Sequence, residues 1–273
     1  MYVKLDKTTI YCEIYGKGVP ILMLHGFPLD HNVMKACMEP IFLKRKGYKR
    51  IYFDLPHMGK STSDNWIKSS DDFLNVVLEF IDNIIQEDSF IIASESYGSY
   101  LARGIISKCR KKVKACLFLC PVITSEPSKR NLPKYKVFEV DKEFIATLKS
   151  KEAQEFQLCV FQNENVWNRF KSEILLPIQI SNKTMLDQIY SHAYQFSFEV
   201  DNTIKGFDGP VLFIMGRQDV STGYRDAWNL VERFPRASFV VLDMAGHNLQ
   251  IEQPKAFNCL VNNWLDRIEF EKK

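Results

Sequence analysis

The sequence predicts an α/β protein: a mostly parallel, doubly wound sheet carrying a mostly helical cap inserted into it. Three observations predict this. Apolar strand patterns alternate with amphipathic helical patterns over residues 1–121, the alternation stops over 122–205, and it resumes over 206–273. The expected organisation is one sheet domain built from 1–121 and 206–273, with 122–205 as the cap. A chain of 273 residues is long enough to bury a full core in this arrangement.

Taken in order, residues 2–5 and 8–15 alternate apolar and polar side chains, as a half-exposed strand pair does. The next strands, at 20–24 (PILML), 50–54 (RIYFD), 90–93 and 113–119, are near-continuous apolar runs. Parallel strands covered on both faces read this way. Helical patterns fill the gaps at 32–46, 69–87 and 97–109. The second opens on Ser and Asp residues able to cap free amides, then places Phe73, Val76, Val77, Phe80, Ile81 and Ile84 on one stripe. Between Val122 and Lys205 there are helical patterns and no convincing strand partner. The sheet pattern returns with a strand at 210–215 (PVLFIM), a helix over 223–233, a strand at 238–244 and a last helix from Pro254 to Ile268, where proline suits the first helical position.

Composition excludes several classes. With 46% hydrophobic and 25% charged residues and a net charge of +3, the chain is neither disordered nor collagen-like. No apolar run approaches the ~20 residues of a membrane helix, and the N-terminus lacks an apolar leader. The seven cysteines are odd in number, scattered, and without nearby histidine ligands, so free thiols in a reducing cytoplasmic setting are expected and a metal site is not. Two basic clusters, Lys44–Arg50 and Lys108–Lys114, follow helix ends and precede strands. This puts them at the amino edge of the sheet, where cations complement helix C-termini, and apart from Tyr48 they lack the interleaved aromatics of a nucleic-acid or membrane surface. The cap carries 11 aromatic, 11 basic and 11 acidic residues, giving no sign of a lipid-binding lid or a charged substrate.

Three segments could supply the parts of a serine nucleophile. Serine is a poor nucleophile at neutral pH and needs a base, an orienter for the base, and amide donors where an oxyanion forms. ASESYGS places Ser96 between an apolar strand and a helix, with small residues two positions to either side. FIMGRQDVST places Asp219 just beyond a strand, and VVLDMAGHNLQ places His247 in a loop after the last strand. Both loops then emerge at the carboxyl edge, where open α/β sheets build sites. Asp243 is a rival acid, at a less favourable position within or at the end of its strand. Glu95 is expected to turn away from the site, since consecutive residues diverge around a sharp turn. His192, Trp167, Phe196 and Phe198 are candidate pocket walls, against the plainer reading that they pack inside the cap.

The order Ser, Asp, His after successive strands resembles the α/β-hydrolase fold. His25–Asp30 (HGFPLD) is similar to that family's His-Gly-x-Pro segment, and Phe53–Ser61 (FDLPHMGKS) to its Asp-x-Pro-Gly-x-Gly-x-Ser loop, with His57 where glycine is usual and Ser94 replacing the elbow's first glycine. The resemblance implies a catalytic triad of Ser96, Asp219 and His247, and an oxyanion hole from the amides of Phe27 and Tyr97. It implies acyl transfer with water as acceptor, on a small-molecule acyl substrate, with no cofactor. Family members that open epoxides or displace halide carry a carboxylate at the elbow, and Ser96 argues against that chemistry. The expected activity is that of a serine hydrolase cleaving a small or medium carboxylic ester, thioester or lactone. An acyl transferase or carbon–carbon bond hydrolase with the same residues, or a non-catalytic binding protein, are the alternatives.

Overall fold

The computed structural model of the protein describes residues 1–204 and 206–270. Eight strands form one sheet: Tyr2–Lys4 (β1), Thr9–Tyr15 (β2), Val19–Leu24 (β3), Tyr48–Phe53 (β4), Phe90–Glu95 (β5), Val113–Leu119 (β6), Val211–Gly216 and Ala237–Leu242. Their spatial order is β1-β2-β4-β3-β5-β6, followed by the Val211 strand and then the Ala237 strand at the edge. The first pair and the β2–β4 pair are antiparallel, and every later pair is parallel. The alternating and the continuous apolar patterns thus correspond to the antiparallel edge and the covered interior.

Four helices cover the sheet: His31–Phe42 (α1), Ser70–Ile84 (α2), Tyr97–Cys109 (α3) and, at the end of the chain, Pro254–Phe270. Side chains alternate across each strand, so Leu22 and Leu24 join α2 and α3 in one core, while Ile21 and Met23 join α1 and the last helix in the other. Asp30 caps α1 by accepting from the Asn32 amide, and Ser69 caps α2 by accepting from the Asp72 amide. Helix α1 stops four residues before the expected end. Arg45 instead turns onto the last helix, donating to Asn262 Oδ1 at 2.8 Å and Glu269 Oε1 at 3.0 Å. Lys108 sits in the last turn of α3, whereas α1 carries no base in its last turn; several cluster members pair with acids instead, Arg50 with Glu39, Lys49 with Glu87 and Lys112 with Asp82.

Between β6 and the Val211 strand the chain is mostly helical, with helices at Lys142–Thr147 (α4), Ser150–Phe156 (α5), Glu164–Phe170 (α6), Leu176–Ile180 (α7), Lys183–His192 (α8) and Val200–Thr203 (α9). A two-residue parallel pair, Glu139–Val140 (β7) with Phe161–Gln162 (β8), lies among them. It is too short to leave a periodic signature in the sequence. Lys205, the expected end of this segment, lies outside the described residues. The core resumes with Val211–Gly216 (β9), Arg225–Val231 (α10), Ala237–Leu242 (β10), Leu249–Glu252 (α11) and the final helix Pro254–Phe270 (α12). No helix among the described residues is long and apolar enough to cross a membrane. All seven cysteines are unpaired.

Both ends of the helical segment meet one side chain. Arg103, fully buried on α3, donates to the carbonyls of Val122 at 3.0 Å and Ile123 at 2.8 Å where the segment begins, and pairs with Asp201 near its end. A buried guanidinium is costly unless its donors are used; here both terminal nitrogens are used while Nε has no partner, and removing the group strands two carbonyls and a carboxylate. Arg103→Met is expected to lower unfolding free energy by about 3 kcal/mol, measured by urea denaturation. A change within error would assign the three contacts no net weight.

Candidate active site

Ser96 stands at the junction of β5 and α3, with backbone angles φ 52° and ψ −116°. This strained turn lifts the side chain out of the strand's alternation and leaves the hydroxyl at the carboxyl edge of the sheet, beside the N-terminus of α3. Packing explains its small neighbours. A Cβ on Gly98 would come within 2.4 Å of the Leu24 carbonyl and 2.7 Å of the His25 carbonyl, so α3 starts directly against the end of β3. Ser94, where the resembled pattern has glycine, is buried and fully used: its hydroxyl lies 2.8 Å from the Leu117 carbonyl and 3.0 Å from Ser99 Oγ. The Ser96 amide donates to the Leu119 carbonyl and its carbonyl accepts from the Val122 amide, which fixes the turn from both sides.

Asp219 and His247 arrive from the loops after β9 and β10. His247 Nε2 lies 3.0 Å from Ser96 Oγ, and His247 Nδ1 lies 2.8 Å from Asp219 Oδ2. Asp219 is fully buried and also accepts from the amides of Ser221 at 2.8 Å and Thr222 at 3.0 Å, with the Thr222 hydroxyl 2.7 Å from Oδ2. Burial pushes its carboxyl up, but His247 and the Thr222 donors outweigh this and hold it below the usual carboxylate range. For His247, burial favours the neutral ring, whereas Asp219 and then Glu95 favour the cation and push the ring up to about 9. Asp243 is exposed and accepts from Gln218 Nε2 at 2.8 Å, a contact that braces the loop from outside. The same loop is braced from inside by Glu252, which accepts from the amides of Gly246 at 2.6 Å and Val160 at 2.8 Å.

Glu95 does not turn away. Its carboxylate is 2% exposed, with Oε1 3.6 Å from His247 Nε2. Its Oε2 is buried without a hydrogen-bond partner, next to Gly26, where a Cβ would approach that oxygen to 2.2 Å. The elbow's strain rotates the serine outward while the preceding residue, last of β5, still follows the strand's alternation toward the loop after β3. Burial pushes Glu95 up to about 7 against the pull of His247.

The two loops behind the serine are held by a buried network. Asp54 accepts from the His31 amide at 2.8 Å, from His31 Nδ1 at 2.7 Å and from the Lys60 amide at 2.8 Å. His25 is spent structurally, Nε2 accepting from the Leu55 amide at 2.9 Å. His57 adopts φ 66°, the left-handed conformation that explains why the resembled pattern has glycine there. Its ring nitrogens lie 2.6 Å from Ser63 Oγ and 2.9 Å from the Ile67 carbonyl. Among the described residues, metal-type side chains cluster twice, as Cys120, Asp219 and His247 and as Asp30, His31 and Asp54, with ligand atoms within 4.8 Å. In both clusters the carboxylate and imidazole groups are already hydrogen-bonded to protein groups.

Ser96, His247 and Glu95 open onto a cavity of about 570 Å³. Its floor includes Phe27 and its walls come from the helical segment, among them Phe170, Ile174, Tyr190 and Tyr194. The Phe27 ring packs against Tyr97, Tyr190 and Tyr194 at centroid distances of 5.4, 6.1 and 5.6 Å. Tyr97 sends its ring into the core, its hydroxyl 2.7 Å from Ser70 Oγ, so only its backbone faces the elbow. Neither the Phe27 nor the Tyr97 amide has a hydrogen-bond acceptor among the described residues. None of the four candidate wall residues lines the cavity, and the plainer reading, packing, holds for three of them. Trp167 packs on Phe156 and Phe170, Phe196 and Phe198 stack on each other, and His192 is exposed. The wall residues were hidden because the helices here are short and irregular. A π-helical turn at Lys171–Leu175 shifts the register that would otherwise place Ile174 on a predictable face.

A family model described as alpha/beta hydrolase fold matches residues 19–254. The AB hydrolase superfamily protein YclE of Bacillus subtilis (strain 168) is 22% identical, the match covering 93% of this chain and 94% of that one. Among solved structures, an alpha/beta superfamily hydrolase from Oenococcus oeni PSU-1 is similar at a TM-score of 0.88 and 28% identity, with 98% of this chain and 99% of that chain covered. A thermophilic esterase from Thermogutta terrifontis superposes at a TM-score of 0.70 with 18% identity, covering 98% and 99% of the two chains.

Proposed function

Given that the chain belongs to the alpha/beta hydrolase fold family, we propose that it is a serine hydrolase that cleaves small or medium carboxylic esters, thioesters or lactones through an acyl-enzyme on Ser96. The observation that carries this reading is the hydrogen-bonded line from Ser96 Oγ to His247 Nε2, 3.0 Å, and from His247 Nδ1 to Asp219, 2.8 Å, opening on a mostly apolar cavity. In this mechanism His247 takes the hydroxyl proton as Ser96 attacks the carbonyl, and Asp219 holds the ring's tautomer and stabilises the imidazolium. The amides of Phe27 and Tyr97 receive the oxyanion, the second at the positive end of α3. His247 then gives its proton to the leaving group, and water, activated by the same ring, releases the acid.

Residues 122–205 act as the cap, setting which acyl and alcohol groups fit and excluding bulk water. The mostly aliphatic and aromatic walls support an uncharged acyl group of modest size. Labelling with a fluorophosphonate probe tests the nucleophile, and p-nitrophenyl esters of increasing chain length, with thioesters and lactones beside them, test the substrate. Labelling of the folded protein and turnover of short to medium esters are expected. No labelling and no turnover would favour a binding role.

The pH profile is a further expected result. Only neutral His247 can accept the serine proton, and its folded value is raised by Asp219 and Glu95. The kcat/KM for ester hydrolysis should therefore rise with pH, with its midpoint displaced above the ordinary histidine value of about 6.5 and toward 9. A midpoint at or below 6.5 would show that the surrounding carboxylates do not govern the ring.

A further inference from the structure

Asp219 and the Ser96 hydroxyl account for both nitrogens of His247 in the mechanism, yet a third group faces the ring. Glu95 Oε1 lies 3.6 Å from the same Nε2 that reaches Ser96 Oγ at 3.0 Å. The carboxylate is buried under the cavity, and its other oxygen has no partner. Leaving a carboxylate oxygen unpaired in a buried site costs stability, so this position is poor design for a purely structural glutamate. It is also not a requirement of space. Gly26 must lack a side chain to make room for it, since a Cβ there would come within 2.2 Å of Oε2.

We propose that Glu95 is a positioning residue for His247, a buried carboxylate whose charge, 3.6 Å from Nε2, favours the protonated ring and so decides how much of the protein holds a ring ready to act as base. The proposal rests on the reading of His247 as the general base. While Glu95 is ionised, the imidazolium is stabilised on both sides, by the Nδ1 hydrogen bond to Asp219 and by the charge of Glu95 beside Nε2. The ring then holds its proton and serves poorly as a base. When Glu95 is neutral, that attraction is gone and Nε2 is left to Ser96 alone. The two groups titrate as a pair, and the acid limb of activity belongs to both.

Other groups face this pair from the neighbouring elements, and on the loop after β3 the Gly26 backbone pulls Glu95 down against its burial. Asp219 stays ionised on the opposite side of the ring. Arg130, from the stretch after β6, opposes the charged ring, while Cys120, Cys37 and Tyr194 are kept neutral by burial. Glu252 of α11 is also pushed up to about 7 by burial, but its two oxygens are occupied by the Gly246 and Val160 amides. Glu95 alone offers an oxygen to Nε2 besides Ser96 among the described residues.

The test is NMR titration of the His247 ring, assigned by comparison with His247→Ala, alongside the pH profile of kcat/KM. In Glu95→Gln the His247 midpoint should fall by about one pH unit, and the acid limb of kcat/KM should move with it. Glu95→Ala, which places no amide against Gly26, is expected to shift the ring the same way and serves if the glutamine variant does not fold. Glu252→Gln should shift the ring by less than half as much. An unmoved midpoint in both Glu95 variants, or an equal shift in Glu252→Gln, would overturn the proposal. If the ring shifts as expected while no ester is turned over, the pairing stands and the hydrolase reading fails.

Discussion

Ser96→Ala is expected to lower ester turnover by at least about 10⁴-fold and leave the thermal transition within a few degrees of the parent. The loss follows because nothing else in the cavity floor can take the serine's place. Glu95 faces the ring from a buried position, and Cys120 is buried beneath Asp219 with Sγ toward the Gly246 carbonyl. The fold should survive because alanine keeps the Cβ and the backbone angles of the elbow, and only the 3.0 Å contact to His247 is lost. The turn itself is held by main-chain bonds to Leu119 and Val122, which do not involve the hydroxyl. Turnover kinetics with circular dichroism melting reads both effects. Activity within tenfold of the parent would assign the nucleophile elsewhere.

Asp219→Asn is expected to cost about 10⁴-fold in kcat with a nearly unchanged KM. Asparagine can still accept from Ser221 and Thr222 through its carbonyl, but its amide then faces His247 Nδ1. The ring is driven to the tautomer with the proton on Nε2, which points a donor at Ser96 instead of an acceptor. Stability should change less than activity, since the loop keeps the Gln218 and Glu252 braces. A rate within tenfold of the parent would return Asp243 to consideration. That acid lies in the same loop as His247 but is exposed and bound to Gln218.

The sheet was legible because each strand states its environment: near-continuous apolar runs for β3, β5, β6 and β9, and alternation for the antiparallel edge. The positions of Ser96, Asp219 and His247 were legible for a related reason, as each follows a readable strand at the same edge. The direction of Glu95 was not. It depends on the elbow rotating one residue out while its predecessor keeps the strand's phase, a three-dimensional fact with no periodic trace. The cavity walls were illegible too. Helices of five to ten residues with a π-turn carry too little periodicity to say which face of Phe170, Ile174 or Tyr190 meets the pocket. His57 shows the opposite case, a departure from the expected glycine that the fold accommodates by giving both ring nitrogens partners.

Arg103 bears on how such a protein can change over generations. Because the chain leaves the sheet at Val122 and returns past Asp201 within reach of one guanidinium, its two ends are already held together. Doubling the length of what lies between adds only about 0.6 kcal/mol of closure entropy. Insertions in the loops between its helices, away from packed side chains such as Phe156, Phe170, Leu186 and Tyr194, therefore cost little closure entropy, and they alter the walls above Ser96 without asking the strands for a new arrangement. The cavity can be reshaped through the length of one stretch, while Ser96, Asp219 and His247 stay where they are at the ends of their strands.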